Sequence, residues 1–567
     1  MCGFYQDKKD IVYSEPQILI LRGTEPIISP ANNNGHLKKE DNYSGKHYAP
    51  DDILEPDGPQ LFGHPKGLMT LFFTEMWERF SYYGMRALLI LFMTASIANG
   101  GLGLDDVTSG AIYGLYTMGV YLFALPGGWV ADRLIGLKQS VWYGGIIITI
   151  GHFTMAVPGA FSLFDGDAAV KETLSGLDLY TFYAGLILIV LGTGLLKPNI
   201  SSIVGQLYAE GSSKRDAGFS IFYMGINLGA LIAPIACSTL AVYDWHLGFG
   251  LAGFGMLLGL VQYKLTGHYL EGKGDPPIAL TDAEKNSKRK LTRIAWIVLL
   301  VLTVICLLFF TGVIGLNAPR LAAASNNIIA MVAVLYFAYL VVFGGLDTGE
   351  KKKVGVLAIL FLFTALFWSG FEQAGSSLNL FAERFTDRTL LGYEIPTGYF
   401  QSINSLFIIL FAPFFGAMWI WLGRRQLEPS SPLKFAFGLL FLGIGFLVMY
   451  FAAKVASSGE LAAPAWLILT YLFHTFGELS LSPVGLSLTT KLAPKKYAGQ
   501  MMGMWFLSIA MGNLIAGRIA GVTSGGTEEG LQQMPQQYLL IVFITVGAGV
   551  LLVLLSKPIR SLMGKVR

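Results

Sequence analysis

Charge is what this sequence has least of. Only 14% of its 567 residues are Asp, Glu, Lys or Arg, against about 25% in an ordinary soluble domain. Cysteine is scarcer still. Cys2, Cys237 and Cys306 stand far apart, in none of the spacings that hold zinc or run redox chemistry. Cys237 and Cys306 fall in apolar runs and read as buried thiols. The seven histidines form no metal-spaced set, and no Walker loop or nucleophile elbow is present. Metalloenzyme, nucleotide-hydrolase and serine-hydrolase readings therefore have no residues to stand on, and no cofactor is expected. A net charge of +3 carries no nucleic-acid signature. No cleavable signal peptide is seen. Residues 1–62 are polar and rich in Pro and Asn (PANNNGHLKKEDNYSGKHYAPDD) and read as a disordered tail. The QILILR run at 17–22 is too short to span a bilayer.

What the chain has in abundance is apolar length. Hydrophobic residues make up 53% of it, and many runs exceed the ~18 residues that mark a membrane-spanning helix. The 68 glycines suit helices that pack closely or bend in lipid. Spans are expected near 67–98, 107–131, 138–160, 178–204, 217–239 and 246–267, then near 291–315 and 325–346. Six more follow near 353–383, 397–422, 433–455, 463–489, 497–522 and 535–556. The class is an all-α membrane protein with fourteen transmembrane helices.

Lys and Arg are sorted between the two sets of connections. One set holds the runs Lys285–Lys288–Arg289–Lys290–Arg293, Lys351–Lys352–Lys353, Arg424–Arg425 and Lys491–Lys495–Lys496. The other holds little beyond Lys171, Arg320, Arg384, Arg388 and Lys454. Both termini are thus expected in the cytoplasm, which agrees with an even number of spans. The connection after the second span, GGWVADRLIGLK, places Gly128, Asp132, Arg133, Gly136 and Lys138 in a G-x-x-x-D-R-x-x-G pattern similar to that of major facilitator transporters. GAMWIWLGRRQ, at the corresponding place later in the chain, is a degraded echo. The expected organisation is a tail at 1–62, a six-helix bundle at 63–267, a linker with an inserted helix pair at 268–350, and a second six-helix bundle with a short tail at 351–567. The inserted pair carries no charge inside its apolar stretches, which points to a structural or assembly role.

The first span is the anomaly. TEMWERFSYYGMR puts Glu75, Glu78, Arg79 and Tyr82 at i, i+3, i+4 and i+7, on one helix face, with Tyr83 and Arg86 continuing it. An ionised residue at the bilayer centre costs about 2.5–3.5 kcal/mol on insertion scales. A charged stripe is tolerable there only if it faces the protein interior or a water-filled path. An isolated pair would read as a clamp; four charges on one stripe favour a path.

E-x-x-E-R-F-x-Y-Y-G resembles the signature of the proton-dependent oligopeptide transporter family, a branch of the major facilitator superfamily. FSIFYMGINLGALIAP, GTGLLKPN, FQSIN and GELSLSPVGLSLTTKLAP are similar to its fifth-, fourth-, eighth- and tenth-helix motifs. Two extra helices match the bacterial branch. The resemblance implies a multi-pass protein of the bacterial inner membrane, with a major facilitator fold of two six-helix bundles plus two inserted helices. It would import di- and tripeptides together with protons, driven by the proton gradient. It further implies that Glu75, Glu78, Arg79, Lys197 and Glu478 couple proton movement to peptide binding. Arg79, Tyr82, Tyr83, Tyr121, Lys197, Asn227, Asn404, Trp368, Glu478, Ser482 and Trp505 would form the peptide pocket, and Arg86 with Glu372 an outer gate. Ser405 stands where the family commonly has proline, and Gly114 where the mammalian branch has histidine, so coupling must rest on carboxylates.

The residue chemistry supports such a cargo independently. A peptide carries a carboxylate and an ammonium roughly 7 Å apart for two residues and roughly 10 Å for three. Arg79 and Lys197 lie in the first half and Glu478 in the second, so a cavity between them would be positive on one wall and negative on the other. Glu75, Glu78, Glu372 and Glu478 against Arg79, Arg86 and Lys197 leave one excess negative charge, which one proton would neutralise. Pro126, Pro234, Pro413 and Pro483 fall within spans as static kinks or bending points. His152 and His474 read as interior histidines. Lipid is an expected partner, and self-association is left open. The competing readings are another organic or inorganic anion on the same fold, or a channel or membrane enzyme.

Overall fold

A computed structural model describes residues 59–564, apart from 166–175, 210, 211, 213, 271, 277–280, 312, 314 and 316. Most of the expected tail, together with Cys2, Lys171, Lys565 and Arg567, lies outside the described residues. Its last residues form part of a small hairpin in which β1 (Gln60–Leu61) pairs with β2 (His64–Pro65). His64 Nδ1 lies 2.8 Å from the Tyr208 hydroxyl, fixing this hairpin to the helical body.

The rest is almost wholly helical. In chain order the helices are α1 (Gly67–Thr94), α2 (Asp106–Leu122), α3 (Ala124–Val130), α4 (Leu137–Asp165), α5 (Gly176–Gln206), α6 (Lys214–Ala241), α7 (Trp245–Thr266) and α8 (Asp282–Phe310). They continue as α9 (Ala318–Phe343), α10 (Thr348–Phe371), α11 (Ser377–Phe385), α12 (Ser402–Arg424), α13 (Ser431–Ser457), α14 (Ala465–Leu492), α15 (Ala498–Thr523) and α16 (Glu528–Met563). A second hairpin, β3 (Thr389–Leu390) with β4 (Tyr393–Glu394), joins α11 to α12.

Two expected continuous spans are broken. The second divides at Phe123 into α2 and α3 because Pro126 cannot donate to residue 122 and its ring collides with that carbonyl. The ninth divides into α10 and α11 around a tight turn at Glu372–Gly375. A side chain at Gly375 would collide with the Tyr113 hydroxyl and the Arg86 guanidinium. Each pair acts as one span, so the fourteen expected crossings remain.

Eleven helical segments are long and apolar enough to cross a membrane by length and composition. Those that fall short, α1, α2 and α14, are the ones that carry Glu75, Glu78, Arg79, Arg86, Tyr121 and Glu478. The polarity that makes these spans anomalous is therefore concentrated on helices that share one cavity. α1 packs on α6 and α7, and α4 on α5 and α7; later, α13 packs on α14 and α16, and α10 on α15. The two groups meet mainly where α2 runs along α15 and α6 along α12.

Glycine sets the closest approaches. At Gly229 of α6 a Cβ would strike the Met76 carbonyl and stand 3.0 Å from the Arg79 Cβ, so only glycine lets α6 lie against the charged face of α1. Gly114 packs with its Cβ position 3.1 Å from the Leu514 carbonyl of α15. A histidine there would wedge α2 from α15, which gives this departure from the mammalian pattern a packing reason.

Gly229→Ala should destabilise the fold by about 1–3 kcal/mol, the usual range for overpacking, seen as a lower unfolding midpoint in detergent. Gly416→Ala, where nothing lies within 4 Å of the added Cβ, should leave that midpoint unchanged or slightly raised.

Candidate functional site

The stripe on α1 turns inward and is ion-paired. Arg79 Nε lies 2.7 Å from Glu75 Oε1 and 2.8 Å from Glu78 Oε2, with all three side chains buried. One guanidinium thus serves two carboxylates. Among the described residues, Glu75 Oε2 and Arg79 Nη2 have no hydrogen-bond partner. Removing one member of a buried pair typically costs about 3–5 kcal/mol because the other charge is left uncompensated. A triad with unused donors and acceptors is accordingly sensitive to any new charge brought beside it.

Above the triad a cavity of about 220 Å³ opens between the α1–α7 and α10–α16 groups. Its walls include Glu75, Arg79, Tyr83 and Arg86 from α1, Tyr121 from α2, Lys197 from α5 and Asn227 from α6. The opposite wall carries Trp368 and Glu372, then Asn404 from α12 and Glu478 and Ser482 from α14. Lys197 stands over the Tyr121 ring, its ammonium 3.8 Å from the centroid. Asn404 Nδ2 donates to Glu478 Oε2 at 3.2 Å and to Thr475 Oγ1 at 2.9 Å. Among the described residues neither Lys197 nor Glu478 forms an ion pair. One wall therefore presents an unpaired cation and the facing wall an unpaired carboxylate. Trp368 Nε1 is buried without a hydrogen-bond partner among the described residues.

One end of the cavity is closed by bonds between the two helix groups. Arg86 Nη2 lies 2.6 Å from Glu372 Oε2, and Arg86 Nε donates to the Tyr113 hydroxyl at 2.6 Å. Farther toward the same surface, Arg384 of α11 grips Asp106 of α2 with two bonds of 2.7 and 2.8 Å. Ser524 Oγ donates to Asp106 at 2.6 Å. Asn379 Nδ2 donates to the Ala87 carbonyl at 2.9 Å, and Ser402 Oγ to the Leu231 carbonyl at 2.7 Å. These bonds lie at the end where the connections are poor in Lys and Arg.

Most of the residues expected at the site are brought together here, but three stand elsewhere. Glu78 lies beneath Arg79 and off the cavity wall. Tyr82 is covered by the Tyr116 ring of α2, 6.3 Å away and stacked. Trp505 lines a separate small apolar space with Phe337, Leu360 and Phe361, and packs on Gly485. Helical spacing placed Tyr82 on the charged face but could not tell that α2 would cover it. Sequence reading missed Tyr223, Phe371, Gln401 and Tyr471, which also line the cavity. Tyr223 and Gln401 sit inside the quoted FSIFYMGIN and FQSIN motifs, so the signal was present. Tyr471 precedes Glu478 by seven residues on the same face. Asp106–Arg384 was invisible because 278 residues separate its partners.

Comparison with known proteins follows the same lines. A family model described as the POT family matches residues 138–539. The chain is 42% identical over 521 residues to peptide transporter YePEPT of Yersinia enterocolitica, covering 90% of this chain and 97% of that protein. It is 36% identical over 524 residues to the di-/tripeptide transporter of Lactococcus lactis subsp. lactis, covering 89% and 98%. A crystal structure of peptide transporter POT in complex with sulfate superposes with a TM-score of 0.78 at 39% identity, over 90% of this chain and 98% of that one.

Asp106→Asn should loosen the closed end without unfolding the chain. The pair is partly exposed, with side chains 15% and 26% accessible, so a shift of about fivefold toward opening is expected, as for an interaction near 1 kcal/mol. The readout is labelling of Ala374→Cys, a position that lines the cavity beside Glu372, in a background free of native cysteines, by an impermeant thiol reagent on the side of the pair. Arg384→Lys should give an intermediate rate, and unchanged labelling would remove the pair from the closure.

Proposed function

The chain belongs to the POT family, and from that membership we propose that it is a proton-coupled symporter importing di- and tripeptides by alternating access. The observation that carries this reading is the unpaired Lys197 facing the unpaired Glu478 across one cavity. A zwitterion satisfies both at once. The peptide carboxylate is drawn to Lys197 and Arg79, and its ammonium to Glu478. Asn227 and Asn404 offer hydrogen bonds to the peptide backbone, and Tyr83, Tyr121, Trp368 and Ser482 line the space for side chains. At about 220 Å³ the cavity is smaller than the roughly 300–1,000 Å³ of common ligand sites, which suits a short cargo held at both ends.

Coupling follows from competition for Arg79. Glu75 and Glu78 share it. A peptide carboxylate beside Arg79 weakens its hold on Glu78, and a carboxylate losing its counter-charge in a low-dielectric interior takes up a proton. The protonated, loaded site then carries one charge fewer to move through the membrane. Each translocated charge contributes about 2.3 kcal/mol per 100 mV. No cofactor takes part, and Trp505 and Tyr82 act by supporting neighbouring helices. Arg86 and Glu372 form the inner part of the outer gate.

The two bundles at 63–267 and 351–567 rock about this cavity, with the pair within 268–350 outside the path. The Lys/Arg distribution orients both termini to the cytoplasm of a bacterial cell. The closed end then faces outward, and the cavity is poised to open inward.

The test is uptake of labelled Ala-Ala into liposomes under an inside-negative, inside-alkaline gradient. Wild-type protein should accumulate it, and a protonophore should collapse the accumulation. Glu78→Gln should lose gradient-driven accumulation by about 10-fold or more, as expected when a buried ion partner is removed, yet retain counterflow exchange. Failure of folded wild-type protein to accumulate peptide would transfer the fold to another cargo.

A further inference from the structure

Among the described residues, α8 is the long apolar helix with the least cover from the rest of the protein. None of its most apolar residues is fully buried, and only a few, such as Ala295, Leu302 and Cys306, are half-buried. Among the described residues, its one substantial packing partner is the short turn Ala131–Ile135 between α3 and α4. Trp296, Ile297 and Leu300 are 66%, 59% and 63% exposed. Residues 294–310 are seventeen apolar or hydroxyl-bearing positions, about 25 Å at 1.5 Å per residue. That is slightly less than the roughly 30 Å hydrocarbon core, so the polar boundary falls at or just before Ile294.

The preceding turns are strongly basic and still helical. Thr281 caps α8 by accepting from Glu284 N–H, and Glu284 answers to Thr281 N–H. Residues 282–293, DAEKNSKRKLTR, hold five cations against two carboxylates. Lys285, Arg289 and Arg293 recur every four residues, and Trp296 continues the same face into the apolar stretch. Lys285 reaches Asp282 at 3.2 Å. Arg289, Lys290 and Arg293 are exposed and form no ion pair among the described residues. A loop whose sole task was to orient the chain would not need these charges aligned on an ordered helix above a bare apolar face.

We propose that α8 is a binding element for anionic phospholipid. The headgroup phosphate seats against Arg289, Lys290 and Arg293, and the acyl chains lie along the uncovered face below Trp296. Arginine suits this role because its planar donor fork matches phosphate oxygens two at a time. The tryptophan sits at headgroup depth, where its ring is half in and half out of the apolar phase. Charge complementarity selects the occupant: a bare apolar face alone would accept any lipid or a second copy of the chain, but three unpaired cations at its rim select an anionic headgroup. The inference rests on the membrane reading of the chain and not on its cargo.

The experiment compares full-length wild-type protein with Arg289→Gln/Lys290→Gln/Arg293→Gln in lipid nanodiscs. The discs contain phosphatidylglycerol and phosphatidylcholine, and retained lipid is counted by native mass spectrometry after extraction. Wild-type protein should retain phosphatidylglycerol preferentially, and affinity should fall about fivefold for each cation removed. Arg289→Lys/Arg293→Lys, which keeps the charge, should retain most of it and guards against a folding artefact. Excess inorganic phosphate should not displace the lipid, since it lacks the acyl chains. Equal phosphatidylglycerol retention by wild type and the triple Gln variant would overturn the proposal. So would a loss of oligomer mass in that variant with lipid per protomer unchanged, which would assign the face to a second copy. Ala-Ala uptake is a separate readout, and its failure would leave the lipid comparison intact.

Discussion

Everything in this molecule is arranged around the expense of ionised groups in a low-dielectric interior. Three charges lie within one turn of α1, and a bilayer would reject each of them singly. They are tolerated because Arg79 bridges Glu75 and Glu78, and because α6 approaches closely enough at Gly229 to bury the cluster. The same constraint explains Arg86 with Glu372 and the Tyr113 hydroxyl. It is left unsatisfied at Lys197 and Glu478, the two charges that a ligand between them would complete.

That division between paired and unpaired charge organises the path. The closed end is held by pairs complete in themselves: Arg86–Glu372 deep in the chain and Asp106–Arg384 nearer the surface. Opening that end must break bonds whose partners come from opposite helix groups, so closure is stable without being permanent. The cavity instead holds one cation resting on an aromatic face and one carboxylate held by an amide. Neither contact neutralises charge, so a ligand bearing both signs finds complementary partners at each end.

How far the sequence carried depended on distance along the chain. The α1 stripe was legible because its chemistry lies within a single helix, where i, i+3, i+4 and i+7 define a face. The span count was legible because bilayer thickness fixes helix length. The break between α10 and α11 was not, because it is made by Arg86 and Tyr113 arriving from distant helices. Tyr82 was placed by local spacing and Trp505 by the family resemblance, but α2 and the neighbours of α15 decided what covered them. Asp106 and Arg384 stand 278 residues apart, and only the fold joins them. Two long apolar helices were expected at 291–346, yet nothing in their composition told that α8 would stand almost free of the bundle.

The central claim is that Glu478 receives the ammonium end of the cargo, and one comparison tests it most directly. Binding of Ala-Ala and of N-acetyl-Ala-Ala would be measured by titration calorimetry on wild-type protein and on Glu478→Gln. If the account holds, acetylation weakens binding strongly in the wild type and hardly at all in Glu478→Gln, because the carboxylate that reads the ammonium is already gone. An equal penalty for acetylation in both proteins would contradict it, placing the ammonium elsewhere in the cavity.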